Sequence, residues 1–396
     1  MAFYGYDFSA TRQYLKQIVE SGSTAGMSLQ VTRRGETILA VQAGYADIAE
    51  KKPITPDTIF RIFSMTKPIT AVLFLTLYEK GLVHLSDPVS LYLPGFRHPL
   101  VWFKDVDGWK TRPAEREITL HHLLTMTSGI PYQFDNHPAS QEISKLFGTL
   151  YKEAEKGKQL SLPDVANQLG QIPLCFDPGS QWLYGLSIDV IGAVIEVITG
   201  KSLGRYMKET LLEPLSMRDT DFYLLPSQAN RLAVLYAEEQ GHLTPSQGQD
   251  LVPGSPTEPP LIEFGGAGLY STRADYTRFA RMLLGGGILE DQRIISRRSI
   301  HLMRQNHLTP DQLKTCNWDT LRGYGYGLSV RTLMDPALAG SLASSGEFGW
   351  DGAAGTWFSV NPADEMTIVY MTQRLPADHI RFIPKLQATI YSAMSF

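Results

Sequence analysis

The sequence predicts an α/β chain of the α+β kind: one antiparallel sheet flanked by helices, with a mainly helical region folded over one edge of it. Three observations carry this. Strand-like runs at 27–32 and 38–41 surround the tight Arg33-Arg34-Gly35-Glu36 turn, which makes an antiparallel hairpin. Four further strand-like segments, at 324–330, 345–350, 356–360 and 366–372, form a meander near the other end, with Asn361-Pro362-Ala363-Asp364 as a turn. Helix-spaced stretches lie outside both groups, at 9–20 and at about 380–393, so both chain ends feed one sheet. The expected organisation is a single catalytic domain over 1–396, with the sheet region at about 1–90 and 255–396 and the helical subdomain at about 91–254.

After the first hairpin, 53–57 reads as a loop and 59–63 as a short β-like segment. The run 69–77 is apolar on nearly every face, so it predicts a helix that crosses the interior, with Gly81 as its stop. From Leu85 the texture changes to short apolar segments broken by proline and glycine, and the Trp-bearing stretch 102–116 reads as an excursion over the surface. Helices are predicted over 118–125, 140–155, 162–169 and 187–197, the last closed by Gly200. A Pro/Ser/Gly-heavy exposed connection at 244–260 precedes a helix at 275–284.

Composition narrows the function. The 396 residues are 43% hydrophobic, which supplies ample core, and 36 basic against 40 acidic residues leave a net charge of -4. That balance gives no field for gathering nucleic acid, and no basic run marks a binding stripe. The two cysteines, Cys175 and Cys316, stand in unlike contexts without a C-x-x-C, so two free thiols are expected. No signal-like N-terminal segment and no apolar run of membrane-spanning length is visible, and the expected location is the cytoplasm.

The chemistry centres on Phe63-Ser64-Met65-Thr66-Lys67-Pro68, at the mouth of the buried helix. A serine and a lysine three apart at a helix start share one face, within hydrogen-bond reach. The serine hydroxyl needs a base, and lysine serves only if burial pulls its pKa well below the ordinary ~10.4. The tetrad alone is weak, since S-x-x-K arises by chance roughly once or twice in a chain of this length. Other motifs fall away. Gly265-Gly266-Ala267-Gly268 lacks the dinucleotide order, and Gly185-Leu186-Ser187-Ile188-Asp189 misses the nucleophile elbow because aspartate stands at the second glycine. The nine histidines include no H-E-x-x-H, and His121-His122 are adjacent on a short helix, so neither a metal nor a cofactor is expected.

With Ser64-Met65-Thr66-Lys67 followed by Tyr184 and then by Gly349-Trp350-Asp351-Gly352-Ala353, the order resembles the penicillin-recognising serine hydrolases, and most of all the class C β-lactamase-like carboxylesterases called family VIII esterases. The likeness spans most of the chain and implies the β-lactamase/penicillin-binding-protein fold. It implies further that Ser64 forms an acyl-enzyme, that Lys67 and Tyr184 move the proton, and that the backbone N–H groups of Ser64 and Ala353 form the oxyanion hole. Which of Lys67 and Tyr184 is the base in acylation stays open, because the two titrate as a coupled pair. Tyr132, after Ser128-Gly129, matches a position that brings a second aromatic to the pocket.

The chain departs from its antibiotic-handling relatives at two points. Where they carry Lys-Thr-Gly, this chain has Trp350-Asp351-Gly352, with no cation for a substrate carboxylate and an aspartate that repels one. Where they carry the asparagine of Tyr-x-Asn, it has Leu186. Fewer polar contacts and more apolar wall favour neutral acyl esters, so short- to medium-chain ester hydrolysis ranks first. β-Lactam hydrolysis, D-alanyl peptide cleavage and acyl transfer to an alcohol or amine are the rival activities. A non-catalytic binding protein would be expected to have lost Ser64, Lys67 or Tyr184, and all three are present.

Overall fold

A computed structural model describes residues 5–246 and 253–394. Its framework is an eight-stranded antiparallel sheet built from both ends of the chain. The strands are β1 (Gly26–Arg33), β2 (Glu36–Asp47), β3 (Lys52–Pro53), β4 (Tyr324–Tyr326), β5 (Arg331–Leu333), β6 (Phe348–Asp351), β7 (Trp357–Asn361) and β8 (Met366–Thr372), in the spatial order β4-β5-β6-β7-β8-β1-β2-β3. The seam where the two ends meet is β1 on β8, in register from Met27 opposite Thr372 to Arg33 opposite Met366. Arg34 and Gly35, at φ 51° and 83°, turn the first hairpin in the left-handed region that matches strand twist.

Period-two alternation splits the sheet residues between two cores. Met27, Leu29, Val31, Met366, Ile368 and Tyr370 pack beneath the terminal helices α1 (Ser9–Glu20) and α5 (His379–Ser392), with Leu15, Leu386 and Ile390. Phe358, Val360, Val369 and Met371 face the larger core on the other side. There α4 (Arg273–Leu284) lays Tyr276 edge-on to Phe358 at 5.0 Å between ring centroids. Behind it runs α2 (Thr66–Glu79), in which every residue from Thr66 to Leu77 is buried. It packs against α3 (Ser187–Thr199), whose end is closed by Gly200 at φ 65°.

The helices Leu120–Leu124, Pro138–Glu155 and Leu162–Leu169 stand close to their expected places. Three features differ from the sequence reading. The strand expected over 324–330 stops at Tyr326 and a second begins only at Arg331, because Ser329 takes φ 65° and the Gly327 N–H closes on the Val330 carbonyl at 2.7 Å. The excursion after Trp102 is an ordered hairpin, Leu100–Asp105 with Gly108–Pro113, whose Val106 tip is fully exposed. A second hairpin, Leu235–Glu239 with His242–Ser246, joins Arg374–Leu375 in a small three-stranded sheet. Part of the connection expected over 244–260 lies outside the described residues, as do residues 1–4. Among the described residues no helix is long and apolar enough to cross a membrane.

Leu29 lies at the centre of the seam with no exposed surface. Leu29→Ala is expected to cost about 2–5 kcal/mol, read as a lowered urea midpoint; a loss below about 1 kcal/mol would show that the seam is not a main stabilising contact.

Candidate active site

The Ser64 turn is held from several sides. Phe63–Met65 form one short 3-10 turn that runs directly into α2, and Phe63 sits at φ 41°, a backbone position most residues avoid and one that clusters at functional sites. Tyr276 Oη donates to the Met65 carbonyl at 2.7 Å, and Thr66 Oγ1 accepts the Leu269 N–H at 3.2 Å. Gln373 brackets Arg61, two residues before the turn, accepting from its N–H at 3.1 Å and donating to its carbonyl at 3.0 Å. The end of β6 lies against this turn. A Cβ on Gly352 would stand 2.4 Å from the Ile62 carbonyl oxygen, so only glycine permits the approach.

Lys67, the second residue of α2, has no exposed surface. Its Nζ donates to Ser64 Oγ at 3.0 Å, to Tyr132 Oη at 2.9 Å and to the Gly266 carbonyl at 2.7 Å, and it lies 4.5 Å from the centre of the Tyr184 ring. Burial pulls its pKa down to about 7, against the Asp189 and Asp351 carboxylates, which favour the ammonium. A lysine poised there is half amine near neutrality, the condition for taking the serine proton.

Tyr184 and Tyr132 come from separate loops that cross at Gly185, where a Cβ would meet the Ile130 carbonyl oxygen at 2.0 Å. The rings pack 5.7 Å apart. Burial pushes both phenols well above the ordinary tyrosine value, and hydrogen bonding with Ser64 opposes the rise at each. Both therefore stay protonated near neutrality. Trp350, buried on β6, donates its indole Nε1–H to Tyr184 Oη at 2.9 Å. Trp350 thus bonds directly to the site tyrosine.

Ser64, Tyr132, Tyr184, Leu186 and Ala353 share the wall of a cavity of about 260 Å³ with the aromatic rings of Phe134, Phe147, Tyr151 and Phe264, among others. Asp351 is not on that wall. Strand alternation turns it toward Arg331, 3.7 Å away, beside a separate small cavity under α5. Gly352 serves as a spacer rather than as lining.

Two groups were missed because their motifs had been set aside. Asp189, the mismatch in the near-elbow, lies on the cavity wall and accepts the Gly266 N–H on Oδ1 at 2.9 Å. Gly265 and Gly266, from the non-nucleotide glycine run, turn their carbonyls to Thr70 Oγ1 at 2.7 Å and to Lys67. His121 instead pairs with His307 across 3.1 Å, and burial pulls its pKa down to about 4. No group of three metal-binding side chains occurs among the described residues, and both cysteines are free thiols.

Comparison with known proteins fits this geometry. The beta-lactamase family profile matches residues 11–387. The chain belongs to the beta-lactamase family. It is similar to Esterase EstB of Burkholderia gladioli, 30% identical over 364 residues that cover 86% of this chain and 84% of that protein. It is also similar to the solved structure of EstCE1, described as a hydrolase with promiscuous acyltransferase activity, at TM-score 0.79 and 26% identity, covering 96% of this chain and 97% of that one. The unliganded simvastatin synthase LovD from Aspergillus terreus, a selenomethionyl derivative, shares the fold at TM-score 0.79 and 24% identity over 96% and 97% of the two chains. The protein is a beta-lactamase-fold serine hydrolase.

A fluorophosphonate, which reacts with an activated serine, is expected to label Ser64 faster as pH rises through about 7, where Lys67 passes from ammonium to amine and gains the lone pair that takes the proton. A rate flat between pH 5 and 9 would contradict that role. Trp350→Phe keeps a ring but removes the bond to Tyr184, so labelling is expected to slow about 2- to 10-fold, the worth of one neutral hydrogen bond.

Proposed function

We propose that this protein is a serine carboxylesterase that hydrolyses short- to medium-chain acyl esters through an acyl-Ser64 intermediate. The observation that carries the reading is the buried Lys67 Nζ at 3.0 Å from Ser64 Oγ, opening on a cavity of aromatic and aliphatic side chains. Lys67 as the neutral amine takes the proton while Ser64 Oγ bonds to the ester carbonyl carbon. The oxyanion rests on the Ser64 and Ala353 N–H groups, donors worth on the order of a hundred- to a thousandfold in rate. Tyr184, kept as a phenol by burial, hands its proton to the departing alkoxide and is reprotonated from Lys67. Water then attacks the acyl carbon, gives up its proton through the same pair, and releases the acid and Ser64.

A small neutral ester suits the lining. Leu186 replaces an amide-binding asparagine, Trp350 spends its only donor on Tyr184, and Asp189 on the wall disfavours a substrate carboxylate. These features rank β-lactams and D-alanyl peptides below esters. Acyl transfer to an alcohol is the second reading, favoured by the apolar wall, which holds water less well than an organic acceptor, and by the described activity of EstCE1.

The test is hydrolysis of p-nitrophenyl butyrate by the protein and by Ser64→Ala, with a chromogenic cephalosporin in parallel. Ester turnover is expected to fall by at least ~1000-fold in the variant, with little cephalosporin cleavage by either protein. Faster cephalosporin than ester cleavage would reverse the ranking. Lys67→Ala and Tyr184→Phe are each expected to remove most ester turnover while circular dichroism stays that of the parent. Near-normal turnover in either would break the assignment of roles.

A further inference from the structure

We infer that Asp189 is a positioning residue for Lys67: its carboxylate fixes the Gly266 backbone that receives the lysine and supplies the counter-charge that stabilises the ammonium once the serine proton has moved. The inference rests on the acyl-enzyme reading above. Asp189 is the third residue of the thirteen-residue helix α3, is 7% exposed, and sits where a helix N-terminus favours a negative charge. Its Oδ1 accepts the Gly266 N–H at 2.9 Å, and the carbonyl of that same residue accepts Lys67 Nζ at 2.7 Å. The approach is close enough that a Cβ on Gly266 would stand 2.7 Å from Asp189 Oδ2.

The other titratable or charged groups around the lysine leave this task to Asp189. Tyr132 and Tyr184 are phenols held protonated by burial, and Tyr151, pushed up to about 12 by burial, is neutral as well. Asp351 is turned to Arg331 at 3.7 Å, so its charge is shared with a guanidinium. Asp189 makes no salt bridge among the described residues, and Lys67 acts on it as a nearby charge that opposes the upward pull of burial to about 6. When Ser64 Oγ–H gives its proton to Nζ, a new ammonium appears in a site without water access to Nζ, and a carboxylate across one glycine lowers that state more than the neutral one.

The experiment measures the pH dependence of Ser64 labelling by a fluorophosphonate for the parent, Asp189→Asn and Asp189→Glu. Asparagine keeps an acceptor for Gly266 and removes the charge. The acidic limb is expected to move to lower pH by about one unit, while the high-pH plateau falls several-fold because the lysine is a weaker base. Asp189→Glu keeps the charge and is expected to hold the limb near its parent position whatever its plateau does. A residue that only supported the fold would lower the thermal midpoint and leave the limb in place, and an unmoved limb in Asp189→Asn overturns the inference. Where that variant does not fold, Asp189→Ser, smaller and still polar, reads the same limb. Labelling that persists in Ser64→Ala would instead sink the acyl-enzyme reading itself, so the two failures are distinguishable.

Discussion

An amine with no access to solvent is the constraint on which the rest of this structure depends. Placing a lysine ammonium in a protein interior costs several kcal/mol unless partners replace the lost water. Lys67 has three acceptors at hydrogen-bond distance and two carboxylates within electrostatic reach. The opposition between burial and those carboxylates leaves the group able to change charge near neutrality, as a base in acyl transfer must. Burial favours the amine and the carboxylates favour the ammonium.

The surrounding architecture follows from that requirement. α2 is buried from Thr66 to Leu77, so a lysine in its first turn cannot reach water, and the serine before it sits on a turn anchored by Tyr276, Thr66 and Gln373. Glycines stand where other groups come very close: Gly352 against the Ile62 backbone, Gly185 against the Ile130 backbone and Gly266 against the Asp189 carboxylate. Each brings a separate part of the chain within reach of one hydroxyl. The eight-stranded sheet supplies the rigid frame, with β6, paired on both sides, delivering Trp350 to Tyr184.

Trp350 does more at this site than lack a charge. An indole offers one donor, and here that donor is used inside the site, on the phenol, so nothing is left for an anionic substrate. Tyr184 also meets Trp318 at 5.0 Å and Trp182 at 6.1 Å, an aromatic stack that restrains the ring without hydrating its hydroxyl. Burial consequently keeps this phenol protonated near neutrality, beside a lysine whose pKa burial pulls down to about 7.

Much of this was legible in the chain itself. Hairpin turns, period-two runs and helix stops are local, so the two-ended antiparallel sheet, the buried α2 and the order of Ser64, Lys67, Tyr184 and Trp350 could be read from residue spacing and family likeness. Local signals also misled where one residue overrode a run: Ser329 at φ 65° split a strand that looked continuous. The Ser64 partner of Lys67 was legible from spacing, but the other two were not, because Gly266 lies 199 residues away and Tyr132 65 away, and nothing in either motif marks contact with a lysine. Asp189 was passed over as a failed elbow, and Asp351 was placed in the pocket although strand alternation turns it to Arg331. The sequence determined which groups could do the chemistry, since side-chain type and short-range spacing are properties of the chain. Which of them share one desolvated space, and so which proton is mobile, was decided only when tertiary packing excluded water and brought distant carbonyls and carboxylates to the same amine.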